Sequence, residues 1–279
     1  LIELYFADER GFTPYVRFGK DYLYYEAGGI DGEKYAFLYF FSPVSEVKDI
    51  DHACHVVKTE ESHYIQVKAQ FDAVSYDVSD AYVDAMARMV KKYIRYNKKT
   101  SEYLEREYQR LLGSGKVLGV HFRGTDFRKG YNNHPIPVQI DQEIEKVQEL
   151  LARSRYDKIF LATDEQAAVE RFRAVFGDMV CIYEDTFRDQ GTDESIAFSE
   201  DKRERHRYHL AREVLRDQYT LTHCNGLVCG YSNVTFIARV MRRAWFDRSW
   251  EDFVLIDNGL YHNNNAFSQS DNSRKRMRG

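Results

Sequence analysis

The second half of the chain alternates short apolar runs with longer amphipathic segments, and this alternation is the feature that most restricts its fold. The apolar runs are rich in Val, Ile, Leu and Phe and have the length of buried strands. Strands are predicted at 117–122, 158–162, 179–183 and 226–229, with helices at about 137–153, 165–176, 203–222 and 232–245. Strands that alternate with helices favour a parallel sheet with helices on both faces. The sequence therefore predicts an α/β fold with a doubly wound parallel sheet.

The first 112 residues carry weaker signals. Leu1–Arg10 predicts a helix that ends at Gly11, because glycine commonly follows a helix C-terminus. Phe12–Phe18 and Tyr64–Lys68 each predict a short strand. Residues 79–112 predict helices, since their apolar side chains recur at helical spacing.

Gly113-Ser-Gly115 is the predicted domain boundary, because glycine-rich tripeptides punctuate regular structure. The predicted domains are an N-terminal domain over 1–112, a C-terminal domain over 113–265 and a polar, basic tail over 266–279. A chain that begins in mid-helix further predicts that the first strand and helix of the N-terminal domain precede Leu1.

Composition narrows the functional class. The chain has 279 residues, a hydrophobic fraction of 43% and a net charge of −4. It is long and apolar enough for a sizeable core, and it offers no overall basic surface for nucleic acid. An anionic ligand must therefore be held by a local cluster of Arg or Lys. Four cysteines (Cys54, Cys181, Cys224, Cys229) without a disulfide-like spacing favour a reducing compartment. We find no secretory signal and no apolar run long enough to cross a bilayer.

Polar residues follow the first predicted strand at the point where it ends. His121, Arg123, Gly124 and Asp126 stand in the segment His-Phe-Arg-Gly-Thr-Asp. Ligands of open α/β sheets bind outside the carboxyl ends of the strands. A guanidinium beside a glycine at such a place suits a phosphate or diphosphate, which arginine binds through parallel hydrogen bonds.

Three further positions are expected to converge on the same sheet edge. They are Thr163-Asp164-Glu165 after the second strand, Asp217 on the third helix, and Gly230-Tyr231-Ser232-Asn233 after the last strand. Ser232 is a plausible helix N-cap, whose free amides point at an anion. The carboxylate of Asp217 has the chemistry to accept from the two adjacent N–H donors on the edge of guanine. Each has a plainer interpretation as well: Asp164 as a helix cap, Asp217 as a solvated surface residue, His121 as a core histidine.

Other patterns are weaker. Asp49-Ile-Asp51 matches a two-carboxylate metal pattern, and His52/His55 and His206/His209 have helical metal-ligand spacing. No third ligand is evident for either histidine pair, so we predict no metal site. No P-loop, GxSxG or GxGxxG pattern is present.

Taken in order, these segments resemble the α1,6-fucosyltransferase and protein O-fucosyltransferase superfamily. His121–Asp126 resembles its first motif, His-x-Arg-Arg-Thr-Asp, and His134-Pro-Ile136 the His-Pro-Ile that follows. Phe160–Glu165 resembles the second motif, Tyr-Leu-Ala-Thr-Asp-Asp, and Leu227–Asn233 the third, Leu-Val-Cys-Thr-Phe-Ser-Ser. Tyr35–Ser45 resembles a Tyr-Tyr-Phe-Glu-x-x-Ser segment of the N-terminal domain. The similarity spans roughly residues 1–245.

The resemblance implies a GT-B-like architecture of two Rossmann-like domains facing a cleft, the N-terminal one on the acceptor side and incomplete. It implies GDP-β-L-fucose as donor, a glycan hydroxyl as acceptor, inversion at the anomeric carbon, and no cofactor or required metal. By position, the resemblance places Arg123 on the β-phosphate, His121 and Asp217 on the nucleoside, and Ser232 and Asn233 on the diphosphate, with Gly124, Thr163 and Tyr231 beside them. Asp126, Asp164 and Glu165 would occupy the family's acidic positions.

The chain departs from the family pattern in the first motif. The second Arg of the motif is Gly124 here, the Lys after the motif Asp is Phe127, and the proposed catalytic Glu is Tyr131. The catalytic base is therefore open, and Asp126 is our choice because it is the only acid in the motif.

Three functional hypotheses stay open at this point. The first is an inverting, metal-independent fucosyltransferase, for which few cysteines and no signal fit a bacterial cytoplasmic enzyme. The alternatives to a purely cytoplasmic enzyme are a protein that associates peripherally with a membrane and one whose N-terminal segment has been trimmed. The second hypothesis is a transferase for another GDP-sugar. The third is a non-catalytic nucleotide- or carbohydrate-binding protein, which the missing Glu favours. The acceptor, the linkage position and the oligomeric state do not follow from the sequence.

Overall fold

A five-stranded, wholly parallel sheet forms the centre of the protein. The computed structural model describes residues 1–53, 55–71, 79–124, 130–189, 191 and 196–263. The strands are β1 (Val117–Phe122), β2 (Lys158–Thr163), β3 (Val180–Cys181), β4 (Gly226–Gly230) and β5 (Asp252–Ile256). They lie in the order β3-β2-β1-β4-β5. This is the strand order of a Rossmann-type sheet, whose switch point falls between β1 and β4.

The register of the central strands fixes which residues meet at the carboxyl edge. Val117 of β1 lies opposite Lys158 of β2, and the pairing continues to Phe122 opposite Thr163. Arg123 and Asp164, each one residue further, are therefore brought side by side. On the other flank, His121 lies opposite Cys229 of β4.

Helices cover both faces of the sheet, as the alternating pattern predicts. One face packs against α5 (Ile140–Arg153) and α6 (Gln166–Phe176), and the other against α7 (His206–His223) and α8 (Asn233–Phe246). Because successive strand residues point to opposite faces, Leu118 and Val120 enter the first layer and Val117 the second. All six residues of β1 are buried, which explains why every one of them except His121 is apolar.

The N-terminal part contributes four helices: α1 (Ile2–Glu9), α2 (Glu61–Ala69), α3 (Asp80–Tyr93) and α4 (Lys98–Leu111). Helix α3 packs along α8, and the two share an apolar core with α1 and α2 that includes Val83, Met86, Val240 and Met241. Helix α8 is thus enclosed between the sheet and the N-terminal helices.

The strand predicted at Tyr64–Lys68 is wrong, because these residues belong to α2. In a strand Ile65 and Val67 would share a face, whereas here Val67 is 0% exposed and Ile65 is 60% exposed. The strand predicted at Phe12–Phe18 is also wrong. This segment has no ladder partner among the described residues, Pro14 lacks an N–H donor, and Phe12 and Phe18 are exposed.

In the second half the predicted strands and helices are found within a few residues, which confirms the α/β fold class with a doubly wound parallel sheet. Two details differ. Strand β3 is only two residues long, and β5 was not predicted. Strand β5 lies at the sheet edge, where all its residues stay partly exposed.

The described part of residues 1–112 contains isolated bridges but no sheet of its own. The predicted boundary at Gly113–Gly115 is a turn directly before β1, and the domain limits stay a prediction. The tail over 266–279 lies outside the described residues. None of the described helices is both long and apolar enough to cross a membrane.

Candidate functional site

Arg123 is held at the carboxyl edge of the sheet by Asp164. Its Nη1 lies 3.1 Å from Asp164 Oδ2, and the other carboxylate oxygen accepts from the backbone N–H of Gly124 at 3.2 Å. The guanidinium is about one quarter exposed and the carboxylate about one tenth. Asp164 therefore fixes both the direction of the arginine and the backbone that carries it. This gives Asp164 a positioning role besides the helix-cap and ligand roles considered from sequence.

His121 is buried just before this pair. Burial, and then the charge of Arg123, lower the pKa of His121 to about 3, so its imidazole is neutral at physiological pH. Its Nδ1 lies 3.5 Å from the hydroxyl of Ser232, at the limit of a hydrogen bond. His121 thus joins the end of β1 to the start of α8 as an uncharged group.

Asp217, on the inner face of α7, has a carboxyl group that is unusual for an aspartate. Burial raises its pKa to about 7, against the opposing charges of Arg216 and Arg188 and with the support of Glu213 and Asp185. A carboxyl that titrates near neutrality in a cleft is a candidate functional group.

Arg216 anchors the segment that connects β3 to α7. It is 1% exposed, lies 4.0 Å below the ring of Tyr183, and binds both carboxylate oxygens of Asp185 at 2.9 and 3.1 Å. The Nη2 of Arg216 also donates a hydrogen bond to the hydroxyl of Thr186 at 3.1 Å. Fork-like pairing of this kind restricts geometry, so Arg216 sets the path of residues 183–187 over the sheet edge.

These groups meet in one narrow cleft, which we call the β1–α7 cleft. Its described lining includes Tyr24, His121, Arg123, Asp164, Thr186, Phe187, Glu213 and Asp217, with apolar walls from Ile196, Leu210, Val214 and Val234. Four positions singled out from sequence, His121, Arg123, Asp164 and Asp217, are therefore brought together. Thr163 lines the same cleft and is 5% exposed.

Besides the apolar walls, the sequence analysis missed Glu213, Thr186, Phe187 and Tyr24 in the lining of the cleft. Glu213 stands one helical turn before Asp217, and this spacing on one helix face was an available signal. Thr186 and Phe187 follow β3, so the strand-end rule would have found them. Tyr24 comes from the N-terminal segment, and no sequence signal links it to the cleft. Burial raises the pKa of Tyr24 to about 12, which keeps its hydroxyl protonated.

Gly124 and Glu165 pack against one another beside the cleft. A Cβ atom on Gly124 would lie 1.7 Å from Glu165 Oε1, so the glutamate occupies the space of a side chain at position 124. Glu165 is 6% exposed and precedes α6, and neither residue is among the described lining of the cleft.

Ser232 caps α8, as predicted. Its Oγ accepts from Thr235 N at 3.1 Å, and Thr235 Oγ1 accepts from Ser232 N at 3.1 Å. This reciprocal pairing fixes the first turn of the helix. Tyr231, Ser232 and Asn233 line a second and larger hollow of about 530 Å³, which we call the α8 cavity. Its other described walls are Ile2, Tyr64, Lys68, Tyr82, Asn132, Asn133, His134, Cys229, Thr235, Phe236, Arg239, Phe253 and Leu255.

The β1–α5 loop reaches the α8 cavity through a braced segment. Asn133 N donates to Tyr261 O, Tyr261 N donates to His134 O, and Ile136 N donates to Gly259 O, each at 2.9 Å. These main-chain bonds hold His134 and its neighbours in place. Tyr131, which replaces the family's Glu, packs edge-on against His134 at 5.5 Å.

Among the described residues, the remaining sequence candidates do not come together in a further site. Asp126, our choice of catalytic base, lies outside the described residues. Asp49 accepts from Asp51 N at 3.2 Å in a local turn, and His206 Nε2 lies 3.1 Å from Ser199 Oγ. Within the described ranges, no group of three or more His, Cys, Asp or Glu side chains is placed to hold a metal ion.

Comparison with known proteins agrees with this architecture. No family model matches the sequence. The chain is similar to a crystal structure of NodZ alpha-1,6-fucosyltransferase soaked with GDP-fucose, with a TM-score of 0.54 and 14% identity over 86% of each chain. A structure of fucosyltransferase NodZ from Bradyrhizobium gives a TM-score of 0.53 and 14% identity over 86% of this chain and 87% of that one.

A structure of POFUT1 in complex with GDP-fucose is more distant, with a TM-score of 0.37 and 10% identity over 71% of this chain and 58% of that one. That score is too low to support a statement about fold. At 14% identity, the NodZ structures establish a shared fold and no more, because one fold hosts many functions. The resemblance indicated by the motifs is thereby confirmed at the level of the fold.

Proposed function

We propose that this protein is a glycosyltransferase that transfers L-fucose from GDP-β-L-fucose to a glycan hydroxyl, with inversion and without a required metal. One observation carries the proposal. The positions that the resemblance singles out, His121, Arg123, Asp164 and Asp217, line a single cleft at the carboxyl edge of the sheet, beside the ends of β1 and β2. The fold that presents them is shared with a fucosyltransferase structure soaked with GDP-fucose.

Arg123 would stabilise the leaving GDP. The bond to Asp164 holds the guanidinium in one direction before the donor binds, and an arginine has donors enough to contact a phosphate as well. Charge that is fixed in place before the reaction stabilises the transition state without a reorganisation cost. The amides of the first turn of α8, one residue beyond Ser232, would contribute partial positive charge on the other side of His121.

Asp217 would select the base. Its ionised carboxylate accepts hydrogen bonds only, and the edge of guanine presents two adjacent N–H donors to such a group. The side chains of Phe187, Leu210 and Val234 would form apolar walls around the base. Adenine and uracil lack this pair of donors, so this arrangement would discriminate against them.

The catalytic base would be Asp126, as predicted from the sequence. The cytoplasmic location expected from the sequence also stays a prediction. His121 would not be the base, because it is buried next to Arg123 and Ser232, the groups that would bind GDP. Tyr131 would not be the base either, because it lacks a carboxylate. Asp164 is occupied with Arg123 and Gly124 N. Asp126 therefore keeps its place as the candidate acid of the first motif.

Calorimetric titration with GDP, GMP, ADP and UDP in the presence of EDTA tests the donor site. We expect selective, metal-free binding of GDP that is lost in Arg123→Ala and Asp217→Ala. Lys98→Gln, at an exposed position outside the described lining of the cleft, is the control. Turnover of GDP-fucose, compared with GDP-mannose, then distinguishes a fucosyltransferase from a transferase for another GDP-sugar. GDP binding without turnover of either donor on a wide acceptor panel would favour the non-catalytic alternative.

A further inference from the structure

Three aromatic rings lead from the β1–α7 cleft to the protein surface. Tyr24 lines the cleft, and its ring lies edge-on to the ring of Tyr22, with centroids 5.9 Å apart and planes at 75°. Tyr22 in turn stacks on Phe18, with centroids 4.3 Å apart and planes 20° from parallel. We call the rings of Phe18, Tyr22 and Tyr24 the aromatic row. Its inner end is a wall of the cleft.

The outer end of the aromatic row is exposed. Phe18 and Tyr22 are each 37% exposed, and neither is among the described lining of the β1–α7 cleft or of the α8 cavity. A single exposed apolar side chain is ordinary in a folded protein. Two stacked rings that continue into a cleft form contiguous apolar surface, which is more typical of a binding surface.

The surrounding structure holds the aromatic row in place. Phe18 packs edge-on against the buried ring of Phe37, with centroids 5.9 Å apart, and its carbonyl accepts from Ala36 N at 2.9 Å. At the inner end, Glu26 accepts from Tyr208 N at 3.0 Å, which docks the segment after Tyr24 on α7. Rings that are fixed before a ligand arrives offer apolar area at a low cost in conformational entropy.

Tyr24 brings the aromatic row next to the group that would bind the donor phosphates. Burial raises the pKa of Tyr24 to about 12, the neighbouring Tyr22 acts in the same direction, and the positive charge of Arg123 acts against both. The phenol of Tyr24 therefore stays protonated and lies within electrostatic reach of Arg123. A molecule that lies along the row would end beside the diphosphate that Arg123 is proposed to bind.

A sugar chain has the chemistry that such a row suits. The faces of aromatic rings carry the negative part of their quadrupole, and a pyranose presents weakly positive C–H groups on its own faces. The phenol of Tyr24 can donate to or accept from a sugar hydroxyl. The 5.9 Å between the rings of Tyr22 and Tyr24 is also close to the length of one pyranose unit. Successive sugar units would therefore meet successive rings.

We propose that the aromatic row is the acceptor site and that the acceptor is an oligosaccharide of at least two units. Its reacting unit would lie beside Tyr24, and the next units would pack on Tyr22 and Phe18. The role of this sugar as the acceptor rests on the proposed function. Its binding along the row rests on the rings themselves.

Saccharides of different length test the proposal. The probes are glucose, cellotetraose and maltotetraose, measured by calorimetry and saturation-transfer NMR with and without GDP. The two tetrasaccharides contain the same sugar and differ in linkage, so they show which chain shape fits. We expect at least one tetrasaccharide to bind about tenfold more tightly than glucose, the scale of two additional aromatic contacts, because only a chain reaches the outer rings.

Variants of the outer rings assign this length dependence to the aromatic row. Phe18→Leu and Tyr22→Leu keep an apolar side chain without the flat ring, and each should weaken tetrasaccharide binding about three- to tenfold. Tyr22→Phe retains the ring and should bind like the wild type. Phe246→Leu removes a ring of similar exposure, 36%, at the end of α8 and should have no effect. GDP affinity, measured on the same samples, reports that each variant is folded.

Equal binding of glucose and both tetrasaccharides to the wild type would overturn the proposal, as would wild-type tetrasaccharide binding in Phe18→Leu and Tyr22→Leu. Analytical ultracentrifugation of the same samples adds a further check. A dimer that dissociates in these two variants would show that the rings form an interface between two copies, and it would overturn the proposal as well.

The same measurements separate this inference from the proposed function. If the wild type fails to bind GDP but binds a tetrasaccharide through Phe18 and Tyr22, the sugar site stands and the transferase function fails. If GDP binds and tetrasaccharide binding does not depend on these rings, the transferase function stands and this inference fails. Where GDP-fucose is turned over, loss of either ring should raise the KM for the acceptor more than it lowers kcat.

Discussion

If Asp217 binds the base as proposed, its pKa makes donor binding depend on pH over the physiological range. Burial raises this pKa to about 7, so the carboxyl is about half ionised at pH 7 and about one-tenth ionised at pH 6. Only the ionised form accepts both N–H donors of guanine. We therefore expect the Kd of a GDP ligand to rise about tenfold between pH 8 and pH 6, which corresponds to about 1.4 kcal/mol.

The assay must separate Asp217 from other groups that titrate in this window. The terminal phosphate of GDP has a pKa near 6, so calorimetric titrations with a GDP-sugar, which lacks that ionisation, are the cleaner measurement. His121 contributes nothing between pH 6 and 8, because burial and Arg123 hold its pKa at about 3. The charged groups around Asp217, namely Arg216, Arg188, Glu213 and Asp185, shift its titration.

Asp217→Asn should remove the pH dependence and weaken binding at pH 8 by about ten- to a hundredfold, the scale of hydrogen bonds to a charged group. Glu213→Gln is the matched control. It removes a carboxylate one turn away, which binds Arg203 and Phe187 N. It should keep a dependence on pH whose midpoint lies at a lower pH, because the charge of Glu213 helps to raise the pKa of Asp217.

The raised pKa of Asp217 should affect the stability of the fold in the opposite direction. A carboxyl whose pKa is raised on folding binds its proton more tightly in the native state, so stability falls as pH rises from about 4 to 7. Without ligand, Asp217→Asn should therefore unfold at a higher temperature than the wild type at pH 8. The reasoning is refuted if wild-type affinity is equal at pH 6 and 8, or if Asp217→Asn retains the wild-type slope.

Three further perturbations test other parts of the structure. Arg123→Ala should lower the transfer rate by about 10²–10³, the scale of one preorganised charge donor, and a steady-state rate within about tenfold of wild type would contradict this role. Gly124→Ala should destabilise the fold by about 1–3 kcal/mol in denaturant unfolding, because its Cβ would meet Glu165. The Gly124→Ala, Glu165→Ala pair should recover most of that loss, and no recovery would show that the clash is elsewhere. Glu143 is 0% exposed with both carboxylate oxygens unbonded, and burial raises its pKa well above the usual value. Glu143→Met should therefore raise stability by about 1–3 kcal/mol, and increasingly as pH rises above about 4.5, whereas thermal unfolding that is unchanged across pH 5–8 would contradict it.

The sheet and one side of the site follow from sequence because both obey short-range rules. The composition of a segment such as Val117–Phe122 is enough to predict a buried parallel strand. Once the strands are parallel, Arg123 and Asp164 must meet at the same edge. The position of Ser232 at the start of α8 follows from capping preference in the same way. None of these inferences requires knowledge of how distant segments pack.

The rest of the site and the N-terminal helices depend on contacts between segments that are distant in the sequence. Tyr24 reaches the cleft because Tyr208 N donates to Glu26 at 3.0 Å and Arg207 donates to Leu23 O at 3.1 Å, which docks the N-terminal segment on α7. No local pattern encodes that docking. Tyr64–Lys68 reads as a strand by alternation, and only the packing of Val67 into the helical core decides for a helix.

Gly124 and Glu165 both differ from the fucosyltransferase motifs that the chain resembles, and the first difference is explained physically by the second. The family has Arg where this chain has Gly124, and Asp where it has Glu165. The additional methylene of the glutamate brings Oε1 to 1.7 Å from the place of a Cβ at position 124. A side chain at 124 and the observed Glu165 conformation exclude each other, so the glycine and the glutamate belong together. One consequence concerns charge. Among the described residues of this segment, Arg123 is the guanidinium at the end of β1, and its bond to Asp164 keeps it aimed at the cleft. Replacing Gly124 with Arg should therefore destabilise the fold unless Glu165 is shortened at the same time, which denaturant unfolding of the single and double variants would measure.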